Sequence, residues 1–183
     1  PFMETMRRLF HLSGPALMTQ MGERADDLAR LLPEASRGRP AAPALAPEDE
    51  RIRVFDAVTQ WVSAASHLHP LVFALDDLHW ADRASLRLLH HLARNIRGER
   101  VLILGTYREM ELDLEHPLND AISQMNRERL FYRLPLRRLS EEDTRSLLSG
   151  LFDLEVSREL AAAVYRETEG NPFFIEEVVK ALV

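Results

Sequence analysis

The chain has 183 residues, of which 46% are hydrophobic and 28% are charged, with a formal net charge of -6 and no cysteine. This balance predicts a globular domain of ordinary size and argues against a disordered or membrane protein. The acidic charge argues against broad electrostatic binding of nucleic acid. The lack of cysteine excludes internal disulfides, a thiol nucleophile and cysteine-based zinc sites. Since no run approaches about 18 apolar residues, we expect a cytoplasmic protein with no membrane segment.

The first 47 residues carry no motif that points to a function. Apolar spacing predicts two helical pieces over residues 3–32, with a break near Ser13-Gly14-Pro15. Residues 33–47 are rich in proline and alanine and show no apolar period, so we expect a surface loop there. The chain starts at Pro1 without an initiator methionine, which suggests a processed, trimmed or partial sequence.

Residues 48–138 contain helical patterns that alternate with apolar strands. The first helix is predicted over residues 48–67, where one face is apolar and the start is acidic. A second begins after Asp82, a plausible N-cap, and ends near Gly98. A third is predicted from Pro117 to about Arg127.

Three strands are predicted between these helices. Residues 71–75 and 101–106 are continuously apolar, and residues 130–136 form a weaker pattern. Continuously apolar strands are typical of parallel sheets that helices cover on both faces. The fold class is therefore α/β with a parallel sheet.

Residues 139–183 are predicted to form helices only, and the helix signals are local. Ser140 with Asp143 resembles a capping box, and Ser157 is a further N-cap candidate. Gly170 suits a left-handed helix end, and Asn171-Pro172 suits the start of another helix. We therefore divide the chain into three parts, which are residues 1–47, 48–138 and 139–183.

Two adjacent carboxylates, Asp76 and Asp77, follow the strand at residues 71–75. A carboxylate at the carboxyl end of a parallel strand is well placed to face a magnesium ion and nucleotide phosphates. Aspartates that follow a strand are also typical of turns and helix caps, so spacing alone leaves both interpretations open. Zinc binding by the nearby His67, His69 and His79 is disfavoured, because their spacing does not suit metal ligands.

The segment "LVFALDDLHWADRASLRLLHHLAR" resembles the acidic motif of the AAA-like domain in the signal transduction ATPases with numerous domains. This group includes large LuxR-type regulators and related kinase- or cyclase-linked proteins. "VLILGTYRE" is similar to the next strand and its sensor arginine, and "TEGNPFFIEEVVKAL" is similar to the glycine-x-proline segment of the helical lid. With the helices that connect them, the three segments cover roughly residues 48–183.

The resemblance implies a P-loop NTPase-like parallel sheet followed by a small helical lid, with ATP and Mg²⁺ as cofactors. It implies that Asp76 helps to hold magnesium and that Asp77 polarises the attacking water. Arg108 would sense the terminal phosphate, and Thr106 would hydrogen-bond the water. The lid residues that border the nucleotide would be Gly170, Asn171 and Pro172.

Simpler interpretations of several of these residues stay open. Arg108 could be a surface arginine paired with Glu109 or Glu111. Residues 170–172 could serve only as a helix junction. We expect Trp80 to be a packing anchor and residues 173–174 to belong to the lid core.

The sequence contains no G-x-x-x-x-G-K-[ST] pattern, and its one lysine, Lys180, lies in the predicted lid. We therefore expect an incomplete sheet that lacks its amino-terminal strands, in the carboxyl-side portion of a longer ATPase domain. Nucleotide binding by this chain alone should be weak or absent. The expected partners in an intact parent are ATP, an effector domain of the same chain, and other copies upon activation, with nucleic acid bound only by another domain. The alternative is a catalytically silent interaction or scaffold module with an ATPase-like fold.

Overall fold

The computed structural model describes residues 4–11, 17, 21–22, 24–32 and 46–182. The chain forms two compact units; the first ends at Tyr132 and the second begins at Arg133. The predicted break near residues 13–15 and the loop predicted at 33–47, up to residue 45, lie outside the described residues. The boundaries predicted at residues 47 and 138 stay predictions.

The amino-terminal part of the first unit is helical. Residues 4–11 are helical, α1 spans Arg24–Leu31 and α2 spans Pro47–Leu68, and α1 packs against α2. Proline at the first position of α2 and acidic residues in its first turn favour a helix start, as predicted. The apolar face of α2 places Trp61 in the core with no exposed surface. Burial of this face supplies most of the stability of such helices.

Two strands form the sheet of the first unit, β1 at Leu71–Leu75 and β2 at Val101–Gly105. They pair in parallel, with Leu71 opposite Val101 and Leu75 opposite Gly105. The connection between them contains α3, Arg83–Asn95, which packs against α2 and against α4, Pro117–Arg127. The predicted parallel sheet is thus confirmed for these two strands, and their carboxyl ends lie at the same edge.

Only one face of this sheet is covered among the described residues. Phe73 and Leu75 are buried, whereas Val72, Leu102 and Leu104 are 63%, 52% and 50% exposed. The prediction that helices cover both faces is therefore wrong for the described part of the chain. A run of apolar residues occurs both in strands that are covered on both faces and in strands that expose apolar side chains to water. The sequence pattern alone therefore does not distinguish the two cases.

The prediction of a strand at residues 130–136 is wrong. These residues form neither a strand nor a helix in the structure. Tyr132, Leu134 and Leu136 are 89%, 72% and 89% exposed. A strand needs a neighbouring backbone that accepts and donates its hydrogen bonds, and the sheet of the described residues contains β1 and β2 alone. The alternation of apolar residues is present in this segment, but no backbone among the described residues pairs with it.

The second unit consists of α5, Glu141–Phe152, α6, Arg158–Thr168, and α7, Pro172–Leu182. Each helix packs on the other two around a small core. The core residues are Leu148, Val156, Ala161, Val164, Ile175 and Val179. The expectation that residues 173–174 belong to this core is wrong, because Phe173 and Phe174 are 64% and 52% exposed and contact each other edge to face.

Candidate functional site

The acidic pair lies in the turn that follows β1. Asp76 is exposed and Asp77 is partly buried. Asp77 has φ 55° and ψ 48°, in the left-handed region, and the chain then forms one 3₁₀ turn at Leu78–Trp80. A residue other than glycine at positive φ is uncommon, although aspartate tolerates it better than most because its side chain can hydrogen-bond locally. The turn therefore sets the direction in which the Asp77 side chain leaves the backbone.

Hydrogen bonds join this turn to the end of β2. The amide of Thr106 donates to the Leu75 carbonyl at 3.0 Å, and the amide of Leu78 donates to the Thr106 carbonyl at 2.8 Å. The hydroxyl of Thr106 donates to Oδ1 of Asp76 and accepts from the amide of Asp77 at 3.1 Å. The structure therefore brings Asp76, Asp77 and Thr106 together, although they come from segments about 30 residues apart.

Close packing at Gly105 sets how near the two segments approach. A Cβ atom at Gly105 would lie 2.6 Å from Cδ1 of Leu78, well inside van der Waals contact. Leu78 is buried directly beneath the acidic turn. The absence of a side chain at Gly105 thus leaves room for Leu78, which holds the acidic turn against the end of β2.

The Arg108 side chain is 65% exposed, and its Nη1 lies 3.0 Å from Oε1 of Glu111. This contact matches the simpler interpretation, a surface arginine that pairs with Glu111. Such exposed pairs contribute little to stability, so a stronger anion could displace Glu111. The sensor role of Arg108 stays a prediction.

His79 is a residue of this site that the sequence analysis considered only as a disfavoured zinc ligand. Its side chain is 1% exposed, and Nε2 lies 3.1 Å from Oε2 of Glu111 and 3.7 Å from Oδ1 of Asp77. Its Nδ1 faces the backbone amide of Arg108 at 3.4 Å. The signal in the sequence was the position of a histidine two residues after an acidic pair.

The expectation that Trp80 is a packing anchor is wrong, because its side chain is 73% exposed. The indole contacts the His79 ring, with ring centroids 5.0 Å apart and planes tilted by 56°. The indole therefore lies on the outer side of the turn, and the buried ring is that of His79.

The oxygen atoms of the acidic turn suit a hard cation such as Mg²⁺, which usually binds one or two carboxylates and keeps several waters. Asp76 offers an exposed carboxylate that Thr106 orients, so the residues present fit such an ion. No group of three or more His, Asp and Glu side chains could hold a metal within the described ranges. A magnesium ion at Asp76 would therefore need ligands from water and phosphate.

Gly170, Asn171 and Pro172 belong to the second unit and form the junction between α6 and α7. Gly170 is buried with φ 73°, and its carbonyl accepts from the amide of Leu139 at 2.8 Å. Oδ1 of Asn171 accepts from the amide of Phe173 at 3.1 Å, as an N-cap does, and Pro172 is the first residue of α7. Their role as a helix junction is thus visible, and their contact with a nucleotide stays a prediction.

Two cavities are prominent in the described structure. One of about 140 Å³ lies between α3 and α4 and is lined by Arg83, Arg87 and Asp120, among others. The other is an open depression in the second unit beside Arg138 and Tyr165. Neither is lined by residues of the acidic turn, so the acidic turn lies outside both of them.

An acidic turn at the carboxyl edge of parallel strands is typical of α/β proteins that bind nucleotides. The model of the AAA ATPase domain family matches residues 5–104, more than half of the chain, and the chain therefore belongs to that family. Membership implies nucleotide binding in general terms. The match begins at residue 5, so it includes most of the amino-terminal residues, in which the sequence analysis found no motif.

Residues 145–183 match a different family, described as a domain of unknown function (DUF8739). An uncharacterized protein of Rhizobium meliloti (strain 1021) is 30% identical over 136 residues, which are 72% of this chain and 12% of that protein. The chain thus spans about an eighth of the length of the relative. No solved structure matches the chain significantly. No helix among the described residues is both long enough and apolar enough to span a membrane.

Proposed function

We propose that this chain is the carboxyl-side portion of a regulatory module that binds and hydrolyses ATP, of the type found in the signal transduction ATPases with numerous domains. The observation that carries the proposal is the hydrogen-bonded group of Asp76, Asp77 and Thr106 at the carboxyl edge of β1 and β2, in a chain of the AAA ATPase domain family. In a parallel sheet this edge is where nucleotides bind.

The roles proposed for the acidic turn follow from its geometry. Asp76 is exposed and its carboxylate is oriented by Thr106, so it would contribute an oxygen to magnesium. Asp77 would accept a proton from, or orient, the attacking water. The Thr106 hydroxyl donates to the Asp76 carboxylate and accepts from the Asp77 backbone amide, so it would hold the Asp76 carboxylate in place beside Asp77. When bound, the magnesium ion would neutralise charge on the transferring phosphoryl group.

Arg108 and residues 170–172 would bind the remaining parts of the nucleotide. The Arg108 side chain is exposed and pairs with Glu111, and a terminal phosphate would replace that carboxylate as its partner. Gly170, Asn171 and Pro172 would border the nucleotide from the lid. In the intact parent, hydrolysis would then change the arrangement of the lid and of an attached effector domain.

The phosphate side of the site would come from another part of the parent protein. The 183 residues contain no G-x-x-x-x-G-K-[ST] pattern, and Lys180 pairs with Glu177 at 2.7 Å on α7. Backbone amides and a lysine normally supply most of the binding to the β- and γ-phosphates. We therefore expect the isolated chain to bind ATP weakly or not at all.

A catalytically silent scaffold is the second candidate function. The pairing of Arg108 with Glu111 and the lack of a P-loop pattern favour it for the isolated chain. The retained acidic turn favours the ATPase proposal for the parent. The two proposals differ in what a change at Asp77 does to ATP turnover.

Two measurements test the proposal. Isothermal titration of the isolated chain with magnesium ATP should give no heat of binding up to about 1 mM nucleotide. Micromolar binding would contradict the claim that a phosphate loop must be supplied from elsewhere. The gene region upstream of these residues should encode an in-frame glycine-rich loop that ends in lysine and serine or threonine.

In the full-length protein, Asp77→Asn should lower the rate of ATP hydrolysis by about 100-fold or more, because general base catalysis typically contributes that much. Asp153→Asn is a matched control, since Asp153 also lies at positive φ (52°) but caps α5 in the second unit. Unchanged turnover in Asp77→Asn would refute the catalytic assignment and favour the scaffold.

A further inference from the structure

His79 is buried beside the acidic turn, yet one of its two ring nitrogens lacks a hydrogen bond among the described residues. The side chain is 1% exposed, and Nε2 has no hydrogen-bond partner among the described residues. The Glu111 carboxylate lies only 3.1 Å from Nε2, but outside hydrogen-bond geometry. Buried polar atoms are usually paired, so an exception next to candidate catalytic residues calls for a functional explanation.

The neighbours of the two ring nitrogens define the tautomer of His79. Nδ1 faces the backbone N–H of Arg108 at 3.4 Å, so it acts as an acceptor and carries no proton. The proton of the neutral ring then lies on Nε2, which faces the carboxylates of Asp77 at 3.7 Å and Glu111 at 3.1 Å. The ring therefore lies between the turn after β1 and the turn after β2.

We infer that His79 is a positioning residue that couples Asp77 to the segment carrying Arg108. Through Nδ1 it holds the backbone at Arg108, and through the Nε2–H it directs the carboxylate of Asp77 when Glu111 moves away. Glu111 also holds the Arg108 side chain, at 3.0 Å. Displacement of Glu111 from Arg108 by a phosphate would therefore remove the nearer of the two carboxylates and leave Asp77 as the one that faces the Nε2–H.

This inference rests on the proposed function, because Asp77 and Arg108 matter for turnover only if the parent hydrolyses ATP. The coupling itself is a property of the fold. An apolar ring of similar size would fill the same space and contact Trp80, so packing alone does not require the two nitrogens. The test must therefore separate the nitrogens from the ring.

Two substitutions make this separation. His79→Phe keeps a ring and removes both nitrogens, whereas His79→Asn places an acceptor near the position of Nδ1 and removes Nε2. His91 provides the matched control, because its Nε2 is also buried beside a carboxylate, Asp56, at 3.2 Å, but lies on α3 away from the acidic turn. His91→Phe therefore reports the effect of removing a similar histidine elsewhere.

The first readout uses the isolated chain and requires no nucleotide. Nitrogen-15 NMR should show His79 as the neutral ring protonated on Nε2. The exchange rate of the Arg108 amide should rise about fivefold or more in His79→Phe and change less than about twofold in His79→Asn and His91→Phe, as expected for one lost hydrogen bond. A proton on Nδ1, or equal exchange rates in all variants, would overturn the inference.

The second readout is steady-state ATP hydrolysis by the full-length protein. His79→Phe should lower kcat by about tenfold with KM changed less than about twofold, because the residue acts on Asp77 and not on nucleotide binding. His79→Asn should recover part of kcat by restoring the acceptor for Arg108. If His79→Phe retains full kcat while Asp77→Asn abolishes turnover, the positioning role is refuted and the proposed function stands. If the wild-type protein does not hydrolyse ATP, the proposed function and the role for His79 in turnover both fail, and the NMR readout still decides the coupling.

Discussion

Replacement of Gly170 by alanine tests how the junction between α6 and α7 is held. The new Cβ atom would lie 2.0 Å from the carbonyl oxygen of Leu139, a backbone atom that cannot rotate away. Gly170 also has φ 73°, which costs an alanine roughly 1–2 kcal/mol. Relief of the clash would stretch the hydrogen bond from the Leu139 amide to the Gly170 carbonyl, 2.8 Å long, at a cost of about 1 kcal/mol.

The total loss of unfolding free energy in Gly170→Ala should be about 1–3 kcal/mol, after allowing roughly 0.4–1 kcal/mol for the lower entropy of the unfolded alanine chain. Urea unfolding followed by NMR signals from α5, α6 and α7 measures this loss in the second unit. Two controls separate the causes. Gly98→Ala has positive φ (88°) with open space around the Cβ and should lose about 1 kcal/mol or less. Gly150→Ala lies inside α5 with open space and should gain about 0.5–1 kcal/mol.

A loss in Gly170→Ala no larger than the loss in Gly98→Ala would refute the role assigned to the Leu139 contact. The comparison also bears on the candidate site. If packing against Leu139 accounts for the whole effect, the glycine is explained by the helix junction. A nucleotide contact at Gly170 would then require its own evidence.

Three further predictions concern the helix caps and the acidic turn. Asp82→Ala should destabilise α3 by about 1 kcal/mol at neutral pH, because the side chain accepts from the Ser85 amide at 2.8 Å. That amide lowers the pKa of Asp82, so the stabilisation is present above the ordinary pKa and is lost as pH falls through the lowered one; urea unfolding between pH 2 and about 7 should show this dependence only with Asp82 present. Gly105→Ala should lose about 1–3 kcal/mol by thermal unfolding, and less than that when Leu78→Val is added, since valine lacks the Cδ1 that a Cβ would approach to 2.6 Å; equal losses in both backgrounds would contradict this cause. Ser157→Ala should lower the stability of the second unit by about 1 kcal/mol in urea, because its hydroxyl caps the first turn of α6.

Local signals in the sequence predicted the helix ends well. Asp82, Ser140 and Ser157 each accept a hydrogen bond from the amide three residues on, and Ser140 with Asp143 forms the predicted capping box. These contacts depend on residues within one helical turn, so the sequence contains all the information that decides them. The prediction of a strand at residues 130–136 was wrong because a strand depends on a distant segment. It forms only when another backbone pairs with it.

Part of the candidate site was also predictable. Residues that follow parallel strands meet at one edge of a sheet, which is why Asp76, Asp77 and Thr106 lie together. The position of His79 was not predictable in this way. Its burial depends on the turn that contains Arg108, 29 residues further along the chain.

The sequence by itself determined the helix caps, the two apolar strands, the acidic pair and the lack of a P-loop pattern, because each is a property of residues close together in the chain. Only the tertiary structure decided which side chains are buried. It placed His79 inside and Trp80 outside, left Val72, Leu102 and Leu104 exposed, and paired Arg108 with Glu111. Burial and pairing depend on which distant segments of the chain pack together. Residues that are adjacent in the sequence do not specify that packing.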